Sequence, residues 1–177
     1  MWARINNGTV AEITDIDPVG RFHASIQWVA CSTDTRPGWH YDGEQCLPPP
    51  PEPPEDLAAR KRAEIDQARD AAFAAGLPYE IVGEPDVVQT RPQDQINLLG
   101  LSAKAQRLIV AGDSEATLTF RGLSNVNREL TAEEMDTLTL AALAHIEGIY
   151  QRSWDRKDAI DRALAEEDRK GIEAVVW

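Results

Sequence analysis

Pro48-Pro49-Pro50-Pro51-Glu52-Pro53-Pro54 divides this chain in two, and the contrast between its flanks decides the fold. Six of the eleven prolines fall within these seven residues. Proline has no N–H to give a ladder or a helix, so the run reads as polyproline II, a stiff spacer of roughly 20 Å at about 3.1 Å per residue. Such a run is also a ligand type for proline-binding modules, but the spacer reading is the simpler one.

Before the run, residues 1–47 read as short strands joined by turns. Asn7-Gly8 is the pair preferred by a type I′ hairpin loop, which sets Ile5 opposite Val10 and Trp2 opposite Ile13. Asp17-Pro18-Val19-Gly20 fits a type I turn leading into a third strand, Ile26–Val29. After Arg36-Pro37-Gly38, the segment Trp39-His40-Tyr41 and the turn Asp42-Gly43 propose a last hairpin closing on Gln45-Cys46-Leu47. The expectation is a small β-meander. So small a unit buries little apolar surface, which predicts that it docks on something. Trp2, Trp28 and Trp39 either form its mini-core or serve as interface anchors, as does Tyr41.

Beyond the run the composition changes at once, with eight alanines and regularly interspersed charge between Asp56 and Ala75. This predicts a helix, stopped by Gly76 and Pro78, with Leu57, Ile65, Ala68, Ala72 and Phe73 on one stripe. Tyr79–Val82 and Val87–Gln89 read as strands separated by Gly83-Glu84-Pro85. Thr90 with Gln93, and Pro92 in the first turn, open a second helix whose expected apolar face is Ile96, Leu99, Ala103, Leu108 and Ile109. Thr117–Phe120 and Val126–Glu129 form a further strand pair. Thr131-Ala132-Glu133-Glu134 is a capping box stapled by Leu130 and Met135. It opens a helix expected to run to Lys170, about 60 Å at 1.5 Å per residue, so that its second half, with Trp154, projects or meets another chain. Pairs at helical spacing are expected for Asp158 with Arg162 and Glu166 with Lys170. The fold class is thus α+β: a β unit (1–47), a linker (48–55) and an α+β domain (56–177) with a long C-terminal helix.

No catalytic constellation emerges from the residues. His145-Ile146-Glu147 has the His-x-Glu spacing of zinc deaminases without a Pro-Cys-x-x-Cys partner. Gly112–Ala116 lacks the last glycine of a nucleophile elbow and follows a helix. Cys31, Cys46, His23 and His40 are the side chains on which a zinc site would draw, yet neither cysteine belongs to a Cys-x-x-Cys knuckle, and free thiols are expected. No cofactor or metal is expected. The chain carries 30 acidic and 18 basic side chains, a net charge of −12, which disfavours nucleic acid and anionic membrane surfaces. Neither a signal peptide nor a membrane span is legible, and synthesis in the cytoplasm is expected.

Two stretches carry a resemblance. Pro37-Gly38-Trp39-His40-Tyr41-Asp42-Gly43 followed by the proline run resembles the start of many small tail proteins of tailed bacteriophages. Ala63–Asp70, Gln89–Leu98, the strand pair around Phe120 and Leu130–Glu134 are similar to a phage-associated domain family of uncharacterised function found beside tail-fibre genes. Together they span Met1 to Leu164, leaving Glu166–Trp177 outside. The resemblance implies either a structural tail protein at the baseplate or tail-fibre base, located in the virion tail, or a tail-fibre assembly chaperone of the host cytoplasm. It implies other tail or fibre proteins as partners and a trimer as the favoured homo-oligomer. It carries over no catalytic residue, so the protein is expected not to be an enzyme. The candidate partner-contact residues are Trp2, Trp28, Trp39, Tyr41, Trp154 and Trp177.

Overall fold

Asn7 and Gly8 both have positive φ, 51° and 73°, the left-handed pair that a type I′ loop requires. They join β1 (Trp2–Asn6) to β2 (Thr9–Thr14) in a computed structural model that describes all residues, 1–177. Ile5 faces Val10 as expected, but a bulge between Arg4 and Ile5 moves the register, so Ala3 faces Ile13 and Trp2 faces Thr14. The extra residue matters because alternate side chains take opposite faces. Ile13 thereby joins Ala3, Ile5 and Val10 on the core face, while Trp2, an odd number of residues from Ala3 and Ile5, faces the other way by simple alternation.

β3 (Gln27–Ala30) pairs antiparallel with β1, not with β2. β2 has its second edge filled by the segment entering β4 (His40–Tyr41), through Val10 N–H donating to Trp39 O and Gly38 N–H to Val10 O, both 2.8 Å. β5 (Cys46–Leu47) follows, and the order is β3-β1-β2-β4-β5. The sheet is antiparallel as the sequence suggests, but residues 15–26 must cross back over it, so it departs from a simple meander. The turn in that excursion closes one residue later than the sequence suggests, with Arg21 N–H donating to Pro18 O at 3.0 Å.

The chain divides into two units, Met1–Glu52 and Pro53–Trp177. Pro53, at φ −54° and ψ 145°, caps α1 (Pro54–Ala75), and Pro54 occupies its first turn, where the missing N–H costs nothing. The helix therefore begins inside the proline run, two residues before the expected boundary. Leu57, Ala58, Ile65 and Phe73 are its buried apolar positions. Lys61 lies 9% exposed, its stem covering apolar surface while Nζ reaches Glu64 at 3.4 Å.

Gly76 (φ 75°) ends α1 where a Cβ would stand 2.6 Å from Val88 O, a close approach that only glycine permits. β6 (Leu77–Ile81) and β7 (Glu84–Val88) pair with Ile81 opposite Glu84. The loop is therefore Val82-Gly83, and Glu84 and Pro85, expected in the turn, belong to the strand. Val82 holds φ 53°, a left-handed conformation disfavoured for a β-branched residue. α2 (Pro92–Val110) is capped by Arg91 with Asp94 and not by Thr90, whose buried hydroxyl donates instead to Phe73 O at 2.9 Å.

The helical phase of α2 also differs from expectation. Leu98 and Ala105 are buried, while Ile96 and Leu99 are 63% and 56% exposed. The helix carries apolar residues on two faces, and periodicity alone does not say which one meets the core. After a Schellman turn, in which Asp113 N–H donates to Leu108 O and Gly112 N–H to Ile109 O, come β8 (Thr117–Arg121) and β9 (Asn127–Thr131).

α3 (Ala132–Ala165) starts at the expected capping box: Glu134 N–H donates to Thr131 Oγ1 (3.2 Å) and Thr131 N–H to Glu134 Oε2 (2.8 Å). It stops five residues early. Glu167 takes φ 55° and Asp168 N–H returns to Ala163 O at 2.8 Å, a second Schellman turn. Asp168 then caps α4 (Arg169–Ala174). Glu166 and Lys170 accordingly do not share a helix, and Arg162 reaches the Asp158 backbone carbonyl, 3.4 Å, instead of its carboxylate. Nor does the second half of α3 project. Ile160 and Ala163 are buried with Leu57, Ala58 and Ile65 of α1 and Ile172 of α4. Its thin apolar stripe, half of it alanine, suits close contact with an alanine-rich partner that lies within the same chain. The larger cluster gathers α2, both hairpins and the first half of α3 around Leu118, Leu130, Met135 and Leu138.

A candidate docking surface on the N-terminal unit

Side-chain alternation along β1 and the placement of β3 beside it have a joint result. On the face opposite the Ala3–Ile5–Val10 cluster, Trp28 pairs across from Arg4 and Trp2 lies one step along, a diagonal cross-strand pair. Residues 15–26 pack over this face. Phe22 stacks on Trp28 with ring centroids 4.9 Å apart. Together Trp2, Pro18, Val19, Phe22, Ile26 and Trp28 line an open groove of about 430 Å³.

The groove is shaped by backbone chemistry. Val19 N–H donates to Asp17 Oδ1 (2.9 Å), Ile16 N–H to Thr14 Oγ1 (3.1 Å) and Ile26 N–H to His23 O (2.9 Å). These bonds pin a segment that has no regular structure of its own, in which Pro18 is buried and Val19, Phe22 and Ile26 stay exposed. Val19 is 79% exposed and Phe22 47%. The indole Nε1–H of Trp28 is buried and has no acceptor. An orphaned donor of this kind costs on the order of 1–3 kcal/mol unless something supplies an acceptor.

The six residues expected to contact partners do not form one site. Trp2 and Trp28 line the groove. Trp39 and Tyr41 lie on the other side of the sheet, packed against Ala3, Ile5 and Val10, which is the mini-core reading. In the second unit Trp154 is exposed and stacks on Tyr150, which in turn meets Phe73. Trp177 packs against both clusters of that unit, and the Arg152 guanidinium sits 5.4 Å from its ring centroid. Phe22, Val19, Pro18 and Ile26 were missed. Pro18 and Val19 were read only as turn residues and Ile26 as the start of the third strand, which begins instead at Gln27; the signal left over was Phe22, a large apolar side chain that neither turn nor strand accounts for.

Cys31 and Cys46 are free and half-buried, and burial with the nearby Cys31 pushes the Cys46 thiol up, which keeps it a poor nucleophile. They, His23 and His40 do not gather as metal ligands, because no group of three or more His, Cys, Asp or Glu is placed to hold an ion. In the second unit, a cleft of about 170 Å³ is lined by Gln89, Asn97, Asp94 and Arg121, but its charges are engaged locally. Asp94 receives the Arg91 guanidinium at 2.8 Å, and Arg121 bonds Asn127.

The strongest electrostatic feature of that unit joins its two hairpins. Asp86 in β7, almost fully buried, accepts from Ser124 Oγ (2.6 Å), Ser124 N (3.0 Å), Val87 N (2.8 Å) and Arg128 Nη1 (2.7 Å). Burial pushes its carboxyl up, but those hydrogen bonds and the Arg128 charge outweigh it and hold the group below its ordinary value. A Cβ at Gly122 would meet the Asp86 carboxylate at 2.6 Å, so glycine is needed for this approach. Every lone pair of Asp86 has structural work, and the site positions the hairpins.

Fold and surface define an α+β chain in which a small β unit presents an aromatic groove ahead of a separate helical unit. Within it, residues 56–175 match the family model described as a domain of unknown function (DUF4376), and the chain belongs to that family. The match covers nearly all of the second unit, including the C-terminal stretch after Glu166 that the sequence resemblance had left aside. No curated protein and no solved structure matches the chain. No helix is long and apolar enough to cross a membrane.

Proposed function

We propose that the chain is a structural protein of a bacteriophage tail, attached at the baseplate or the base of the tail fibre by protein–protein contacts. The observation that carries this reading is the preformed, outward-facing groove of Trp2, Phe22 and Trp28 on a unit with so small a core. Aromatic anchors in a shaped recess are the usual centre of a protein interface. The resemblance of residues 37–54 to the start of small tail proteins supplies the biological setting. In this role the groove unit docks, the proline run spaces, and the DUF4376 unit offers a second surface.

Mass spectrometry of purified particles from the host that encodes the chain provides the test. Stoichiometric presence in the virion is expected. Absence from the particle, with an adjacent fibre protein that turns insoluble when made without this chain, would overturn the structural role in favour of an assembly chaperone.

A further inference from the structure

Independently of that reading, and on a face of the second unit, we propose that the outer side of α2 is a homodimer contact. A second copy of this chain docks its own α2 there, antiparallel, about a two-fold axis at Ala103. This is the face whose periodicity the sequence displays and the core leaves uncovered. Ile96, Leu99, Ala103 and Val110 fall within about 60° of one another around a helix of 3.6 residues per turn. All four are exposed, Val110 to 85%. Their spacing of three, four and seven is that of a helix–helix seam. No acidic residue occurs between Gln95 and Gly112, and the charges of that stretch are Lys104 and Arg107. In a chain of net charge −12, two copies approach here without setting carboxylates against one another.

The stripe is its own complement, which is what a two-fold contact requires. Set antiparallel about Ala103, Ile96 lies level with the second copy's Val110, and Leu99 level with its Gln106. Ala103, the smallest side chain of the four, meets itself where the two backbones come closest. Arg107, at the border of the stripe, comes level with the second copy's Gly100, where even an added Cβ would have nothing within 4 Å. That open notch receives the long arginine stem. Lys104, one residue past the centre, stands about 100° off the seam and stays in water. The antiparallel setting also opposes the two helix dipoles, whereas a parallel pair would align them and bring Arg107 against Arg107. With 19 residues, α2 is about 28 Å long, so this contact covers less than the roughly 800 Å² per partner of a stable interface. The dimer is therefore weak and forms with rising concentration.

The test uses the full chain. Sedimentation equilibrium up to millimolar concentration is expected to show mass rising from the 19.6 kDa monomer toward twice that value. Val110→Asp, at a position too exposed to unfold the helix, is expected to weaken association about tenfold or more with circular dichroism unchanged. The register is read by cross-linking. Ala103→Cys, oxidised by a small-molecule disulfide that is itself reduced to two thiols, is expected to give a covalent dimer. Peptide mapping then places the new S–S bond at position 103, apart from any bond made by Cys31 or Cys46. Val110→Cys alone is expected to give no such bond, because the two copies of position 110 stand about 21 Å apart along the pair, but mixed with Ile96→Cys it does. A chain that stays monomeric at millimolar concentration overturns the proposal and leaves the face to a different occupant. Association that Val110→Asp leaves intact overturns it too. So does an Ala103→Cys chain that fails to cross-link, or a Val110→Cys chain that bonds to itself as readily, the mark of a parallel or unregistered encounter.

Discussion

The second unit withdraws Leu118, Leu130, Met135 and Leu138 from solvent around one long helix, whereas the buried apolar cluster of the first is Ala3, Ile5 and Val10. Yet the first unit holds three of the five tryptophans. Large side chains were available to it, and alternation along β1 with the return of β3 to β1 sets two of them on the outer face. Aromatic content therefore measures recognition surface in one unit and says little about core size. A unit so built is held by turns and ladder bonds, and it keeps its apolar area for something else to cover.

The contrast can be broken by mutation. Leu138→Ala should cost about 4 kcal/mol, the range of a fully buried leucine with little room to relax, read as a lower urea midpoint in the helical circular dichroism that the second unit alone supplies. Asp86→Asn should cost about 3 kcal/mol by leaving Arg128 buried without its counter-charge. Because the folded carboxyl is held below its ordinary value, its contribution is present above the usual carboxylate range and disappears as pH falls through the folded value. Urea midpoints from neutral pH to below about pH 4 should therefore fall more gently in the variant than in the parent. An identical acid limb would show that the pair does not stabilise the hairpins.

Val10→Ala in the first unit should cost about 2 kcal/mol, followed by the Trp28 indole signal in NMR spectra. If it costs as much as Leu138→Ala, the two units bury alike and the contrast fails. The smallest effect should be a gain. Val82→Asn, at φ 53° and 58% exposed, should raise stability by about 1 kcal/mol, since Asn-Gly is the preferred type I′ pair. A thermal midpoint unchanged or lowered would mean that the valine side chain makes a contact worth more than the strain.

Local chemistry was what the sequence made legible. The Asn7-Gly8 loop, the Thr131–Glu134 box and the change of structure at the proline run are all decided by residues within a few positions of one another. Whatever depended on a distant partner was hidden. The bulge that brings Ile13 onto the core face is one extra residue, Ala11, with no signature of its own. The face of α2 was decided by what packs on it, and the end of α3 by a glutamate that accepts a left-handed conformation where glycine would normally mark the stop. Of the docking surface, two residues could be named in advance, because tryptophan draws attention by type. The rest of its lining arose from the path of residues 15–26, which only the strand order discloses.

The helix α3 runs through two separate interiors, meeting Leu118 and Leu130 with its first half and Ile160's neighbours Leu57 and Ile172 with its second. Between them lies Ser153, whose hydroxyl is buried without a partner. One helix is thus shared by two buried clusters of unequal size. Around the smaller cluster, α4 with the outer ends of α1 and α3, less apolar surface is buried, so backbone amides beside Ile160 and Ala163 are expected to trade hydrogen for deuterium before those beside Met135 and Leu138.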